Sequence, residues 1–292
     1  TNTFNFKGAS QTVPAFDYNN LDLTGATGTL FGAGTVGIAG TFTPASITAS
    51  TSGTIDFKGA TQTVPAFSYN NLDLSGATGT SFAGGTVGVA GSFTPAGITT
   101  ASAGTISFNG GGSQSIPTFN YNNLTVTNTG ANITLAGSGT VGIAGVFTPG
   151  GTSFGTITNS TVSFNGTGGN QNIPAFTFNN LTVNNSAGVS LTGNVSVAGS
   201  TNALTFTSGK ITTGGNTLSL GSGVTVTTAG TGKYVNGNLQ KAFLTGAQSF
   251  TFDVGDPSNY TPAAVSFGNI TTGGNLTAVT TAGQHPSIST SG

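Results

Sequence analysis

The chain has 292 residues (28.5 kDa), Lys+Arg 5, Asp+Glu 6, His 1 and a formal net charge of −1, with no Cys, Met or Trp. Every cation is Lys and every acid is Asp. Without Cys there is no disulfide framework, Cys-ligated zinc, iron–sulfur cluster or thiol nucleophile, and without Arg or net positive charge there is no surface to hold nucleic-acid phosphates. A typical domain is about 25% charged, whereas this chain is 4% charged. The helix formers Glu, Arg and Met are missing and Thr, Gly, Asn, Ser and Val dominate, so strands are expected rather than helices. With 35% hydrophobic residues, 21 of them Phe, a packed core is expected rather than disorder.

In chain order, the first signal is a phrase that repeats. Gln11-Thr12-Val13-Pro14-Ala15-Phe16 is followed by Tyr18-Asn19-Asn20-Leu21. The same phrase returns at Gln62, Pro65, Asn70, Asn71 and Leu72, at Gln114, Pro117, Asn122, Asn123 and Leu124, and at Gln171, Pro174, Asn179, Asn180 and Leu181. The leucines are spaced 51, 52 and 57 residues apart. An alternating apolar pair opens each copy: Phe4/Phe6, Ile55/Phe57, Ile106/Phe108 and Val162/Phe164. A second block, Thr35-Val36-Gly37-Ile38-Ala39-Gly40, recurs from Thr86 and Thr140 and more loosely from Asn194. Phe-Thr-Pro closes it at Phe42, Phe93 and Phe147. These marks divide residues 1–232 into four repeats, about 1–52, 53–103, 104–160 and 161–232.

Every block alternates at period two between Gly, Asn and Pro punctuation, which predicts short β-strands. No helical crossovers lie between them, so the expected fold is all-β, a parallel β-helix (β-solenoid) in which each strand pairs with its counterpart one coil away. Coils of about 20–27 residues would make one repeat two coils and stack like residues over like. The recurring Asn pairs suit corners, where Asn tolerates the left-handed conformation and its amide reaches neighbouring backbone. The four motif prolines, unable to donate to a ladder, mark bends or edges. After about Leu204 the motif stops, and residues 204–228 read as one further coil. Residues 233–292 read as an antiparallel cap or small β-module, with Asn236-Gly237 as a hairpin signal.

These phrases resemble the repeats of large secreted surface and adhesin-like proteins of Bacteroidota-type bacteria. The resemblance rests on Gln-x-Ile/Val-Pro-Ala-Phe-x-Tyr-Asn-Asn-Leu and on Tyr234-Val235-Asn236-Gly237-Asn238-Leu239 followed by Phe250-Thr251-Phe252-Asp253-Val254-Gly255-Asp256 and Tyr260-Thr261-Pro262. Asp253 stands where that family commonly has Pro. The resemblance implies a β-solenoid, export, and a structural or adhesive role without catalysis.

Candidate chemistry is sparse. His285, the sole histidine, sits beside Pro286 in a Gly/Ser/Thr-rich tail and offers no triad. Asp17, Asp22, Asp56 and Asp73 belong to the first two repeats and become Asn, Thr or Ser in the others, which argues against a carboxylate pair for glycoside hydrolysis. Asp253–Asn259 carries oxygen ligands without the spacing of an EF-hand and reads as an acid-bearing turn. Ser208-Gly209-Lys210 and Gly230-Thr231-Gly232-Lys233 lack the full phosphate-loop spacing. Lys7 and Lys58, repeat equivalents, are expected to form one solvated stripe.

No catalytic residue, metal or cofactor is therefore expected. No run of about 18 apolar residues is present, so no membrane-spanning helix is expected. The start at Thr1 reads like a mature chain after leader removal, and equally like a trimmed one. The scarcity of Lys and Arg, which starves trypsin-like proteases, suits an extracellular or cell-surface location. The leading expectation is a structural filament subunit or adhesin stalk that associates head-to-tail through solenoid ends, with Phe4 and Phe6 as the assembly edge. The alternatives are a glycan-binding surface module using Tyr18, Tyr69 and Tyr121, and, more remotely, an ice-binding face of Thr rows such as Thr41/Thr43 and Thr225/Thr227.

Overall fold

Short strands with apolar residues at every second position need partners on both edges, and a chain that keeps turning in one direction supplies them from its own next coil. The computed structural model describes residues 2–281 apart from 46, 99, 102, 131, 151–153, 155–158 and 199–202. It is all-β, with no helix among the described residues, and its strands stack in parallel as a β-solenoid. The chain divides into two units, Thr1–Val162 and Ser163–Gly292.

In the first unit three passes make a coil. Asp17–Tyr18 pairs with Thr35–Ile38 after the chain has passed through Asn20–Asp22 and Leu30–Phe31 on the other faces. Thr54–Phe57 pairs with Asn71–Asp73 after Thr63–Val64 and Ser68–Tyr69. Partner residues lie 17 to 23 positions apart, as in Phe4↔Leu21 and Leu124↔Phe147. One 51-residue repeat contains eight passes, counting the bridge at Ala49, and so spans about two and two-thirds coils.

The expected two coils per repeat, with like stacked on like, is thus corrected. Leu21 lies between Phe4 and Phe42, Leu72 between Ile55 and Phe93, and Leu124 between Ile106 and Phe147. Each leucine keeps the same kind of neighbours. Yet the three belong to three different sheets, because the motif moves to an adjacent face at each repeat. Ladder bonds are backbone bonds and ask only for an apolar residue of fitting size above and below, so Leu over Phe serves as well as Leu over Leu. It follows that Lys7 and Lys58, which follow equivalent strands in different sheets, do not form one stripe.

Inside, the aromatic rings pack edge to face. Phe67 meets Phe42 at 5.4 Å and Tyr69 at 4.9 Å, and one repeat later Phe119 meets Phe93 at 5.4 Å and Tyr121 at 5.0 Å. Each such pair adds about 0.5–1.5 kcal/mol beyond simple burial. Corners are tight where coils touch. Gly53 has φ +70°, and a Cβ there would lie 2.6 Å from the Gly34 carbonyl oxygen. Gly104, its repeat equivalent, has φ +74° and would meet Ala83 O at 2.7 Å. Neither position admits a side chain.

In the second unit the same parallel pairing runs through Asn180–Asn184, Ala203–Ser208 and Thr225–Thr227 on one face. Ile211–Leu220 covers two faces in one strand, and Val235–Phe243 follows it in parallel along both halves, skipping register between Thr212 and Thr217. Asn236-Gly237 is therefore not a hairpin. It is a corner inside a parallel strand, where Gly237 at φ +122° lies against Thr213, whose hydroxyl accepts Asn238 N–H at 2.9 Å. A bent partner strand was already in place, so the positive-φ dipeptide matches the bend instead of reversing the chain. Antiparallel pairing appears in Leu239–Phe243 with Gly274–Ala278 and in Gly246–Phe252 with Ala263–Ile270, whereas Val254–Gly255 returns in parallel to Val235–Asn236. His285 lies outside the described residues.

Because one repeat is a whole number of passes, deleting residues 53–103 restores every junction between the coils that remain. The deletion variant is expected to keep a β-type circular dichroism spectrum and a cooperative melt. Loss of both would contradict the eight-pass repeat.

Candidate assembly site

The repeat motif staples coils together. Gln62 Oε1 accepts Gly59 N–H at 2.5 Å, while its Nε2 donates to Ile38 O at 3.0 Å and Gly40 O at 2.5 Å, both in the preceding coil. Gln114 does the same with Gly110 N–H, Val89 O and Gly91 O at 2.9, 2.8 and 2.9 Å. Gln171 Oε1 accepts Gly166 N–H at 2.7 Å and Gln11 Oε1 accepts Gly8 N–H at 2.7 Å. The second Asn of each pair reaches forward: Asn20, Asn71, Asn123 and Asn180 accept the backbone N–H of Thr41, Ser92, Val146 and Ala203 at 2.8–2.9 Å. None of the paired asparagines is left-handed. The described non-glycine residues with positive φ include Ser10 and Thr61, each just before a motif Gln. An amide that bonds the next coil needs extended backbone, and so the left-handed turn falls elsewhere.

Pro14, Pro65 and Pro117 sit at the bend after a short strand, and their carbonyls accept the hydroxyls of Tyr18, Tyr69 and Tyr121 at 3.2, 3.2 and 3.1 Å. Pro174 lacks this partner because Phe178 replaces the tyrosine. All three tyrosines are buried, which removes them as glycan contacts.

The charged residues are dispersed. Lys58 Nζ lies 2.8 Å from Asp17 and 3.6 Å from Asp56. Burial first, then the charge of Asp73, pushes the Asp56 carboxyl up, against the pull of Lys58. Asp256 closes its own turn by accepting Ser258 and Asn259 N–H, each at 2.7 Å, and these bonds, with the Asn259 amide foremost, hold its carboxyl low. No group of three metal-ligating side chains occurs among the described residues.

Two places depart from this structural pattern. In the first coil, Phe16 is 55% exposed and Phe4 49%, although their repeat equivalents Phe67 and Ile55 are 3% and 1% exposed. Phe67 is covered by Phe31 and Phe42, and Phe119 by Phe82 and Phe93. Phe16 touches only Phe4 and Tyr18 among the described rings. Phe6, the other expected edge residue, is half-buried and meets Tyr18 at 6.4 Å.

The second place is Lys241, which sequence reading passed over. It occupies an inward position between Leu239 and Phe243, is 4% exposed, and gives its three protons to Gly221, Ser222 and Val224 carbonyls at 2.5, 2.7 and 2.9 Å. Its Nζ also lies 5.1 Å from the Phe250 ring centroid, and burial lowers its pKa. The signal was present in the alternation Leu239, Lys241, Phe243, a cation in an apolar register. Beside it is a cavity of about 310 Å³ bounded by Thr225, Val226, Phe243, Phe250 and Asp253. No protein-family model, curated protein or solved structure matches the chain.

Replacing Gln114 by Leu strands the Gly91 carbonyl and the Gly110 N–H, while Val89 O keeps Asn109 N–H and the Asn128 amide keeps Gly112 O, and unsatisfied buried groups cost about 1–3 kcal/mol each. A loss of about 3 kcal/mol in chemical unfolding is expected; a change under about 0.5 kcal/mol, as at ordinary surface sites, would contradict the staple. Burial raises the Tyr69 and Tyr121 hydroxyls well above 10.0. Once pH passes 10.0 the unfolded chain releases protons that the folded chain retains, so stability falls as pH rises from there. Phenolate absorbance from these two residues should therefore appear together with loss of β-structure. Their reversible titration near pH 10 with the fold intact would contradict their burial.

Proposed function

We propose that this chain is a non-enzymatic extracellular structural module, a segment of a surface filament or adhesin stalk, that joins copies of itself head to tail. The observation that carries the reading is where exposed apolar surface falls. Of the eight large hydrophobic side chains exposed among the described residues, Phe4, Phe16 and Leu30 precede residue 31, and Leu244, Phe267, Leu276 and Val279 follow residue 243; Val146 stands alone between them. Full burial of a Phe or Leu side chain contributes about 1.5–3 kcal/mol, so these exposed side chains are the groups whose burial would favour association. Strand edges usually carry Lys or inward charges that block pairing, and a chain that is 4% charged has few of either. The likeness of the repeats to secreted surface proteins of Bacteroidota-type bacteria, and the scarcity of tryptic sites, support the same reading.

Sedimentation velocity and negative-stain microscopy test it. Linear oligomers that grow with concentration are expected. Phe4→Asp with Phe16→Asp should reduce them at least tenfold, while Val146→Asp leaves them unchanged. A chain that stays monomeric at every concentration, or oligomers indifferent to the Phe16 substitution, would overturn the reading.

A further inference from the structure

We propose that the Asp56 carboxyl is a proton-operated latch between two coils of the second repeat: protonated, it lets the passes Thr54–Phe57 and Asn71–Asp73 lock together, and ionised, it weakens their joint. The register sets the geometry. On this face the outward residues stand in one file, Asp17 beside Gly37, Gly37 beside Asp56, Asp56 beside Asp73 and Asp73 beside Thr94. Three of the chain's six acids thus share one file. The cation beside them is Lys58, whose Nζ donates to Asp17 at 2.8 Å and lies 3.6 Å from Asp56 Oδ2. Gly37 has no side chain, so the Asp17 carboxylate lies over it; a Cβ there would collide with Asp17 Oδ1 and approach Lys58 Cε to 3.0 Å. On the other side, Asp73 commits one oxygen to the Ser75 N–H at 2.8 Å. Asp56 stands between them, and among the described residues its Oδ1 has neither solvent nor a hydrogen-bond partner.

A carboxylate oxygen in that state has lost its hydration without compensation, a cost that falls on the charged form far more than on the neutral one. The charged groups around Asp56 are Asp73 on the next strand, Lys58 beyond its own strand, and Asp17 across Thr35–Ile38. Burial first, then Asp73, favours the neutral carboxyl; Lys58, shared with Asp17, pulls the other way and does not prevail. The other repeats show what the position accepts. Asn5, Ser107 and Ser163 are the equivalents of Asp56, all neutral, and Ser107 and Ser163 are each 6% exposed. A protonated Asp56 is neutral too, so acid gives the second repeat what the others carry in their sequence. The folded chain therefore keeps a proton that the unfolded chain releases near 3.8. This contribution to stability is complete below that pH and is lost as pH rises through the higher folded value. Asp22 and Asp256, held low by hydrogen bonds, act in the opposite sense, so the latch is read by difference at Asp56.

Asparagine is the neutral side chain of nearly the same shape, so urea unfolding of the wild-type chain and of Asp56→Asn at neutral pH and at about pH 4 tests the latch. At neutral pH the variant is expected to unfold at higher urea than the wild-type chain, and in acid that gap should shrink at least twofold. A gap that is absent, reversed or the same at both pH values would overturn the proposal. A second measurement needs no unfolding. The carbon-13 signal of the Asp56 carboxyl in the folded chain should titrate with a midpoint above 3.8, and Asp73→Asn should move that midpoint down. A midpoint at or below 3.8, or one that Asp73→Asn leaves in place, would overturn it as well.

Discussion

Everything in this molecule follows from parallel pairing between passes one coil apart. A strand of two to five residues cannot hold itself, and it is kept in place by backbone bonds to the pass before and the pass after. That constraint fixes which side chains face inward, Leu21 over Phe4 and under Phe42 for example, and among the described residues the buried charged side chains are Lys241 and Asp253. It also concentrates the demands on sequence at the corners. There the coil must turn without leaving buried donors and acceptors open, and Gln62, Gln114, Asn71 and Asn123 supply bonds that the strands cannot.

Much of this was legible in the residues. Period-two alternation with the helix formers missing leads to an all-β chain, and the lack of crossovers leads to parallel stacking. Coil length was not legible, because ladder bonds leave no mark on side-chain identity. A repeat of 51 residues is compatible with any number of passes until the register is seen. The resulting arrangement turns each copy of the motif onto a new face, so that Leu21, Leu72 and Leu124 have similar neighbours in three different sheets. The Asn236-Gly237 dipeptide was misread for a related reason: local sequence encodes the bend, and the partner strand decides whether the chain reverses.

The candidate site divides in the same way. Phe4 opens the first of the alternating apolar pairs, and it is exposed where its repeat equivalent Ile55 is buried. The cavity beside Lys241 could not be found by motif, since it lies where Gly246–Phe252 forms no ladder with Thr225–Thr227 among the described residues. A lysine in an apolar register was its only trace. Its ammonium is satisfied by carbonyls rather than by a carboxylate, an arrangement that joins a turn to the next pass while adding no ion pair.

The register itself is the claim on which the rest depends, and paired cysteines in this Cys-free chain test it most directly. Asp56 and Asp73 are partners across adjacent coils, with Cα atoms at the spacing of neighbouring strands, about 4.8 Å, within reach of a disulfide. Asp22 and Asp73 are equivalent in the repeat but lie in different sheets. Oxidation should cross-link the variant carrying Asp56→Cys and Asp73→Cys within one chain and leave the variant carrying Asp22→Cys and Asp73→Cys reduced. A first pair that stays reduced in the folded chain would mean that Asp56 and Asp73 are not ladder neighbours, and the three-face account would fail.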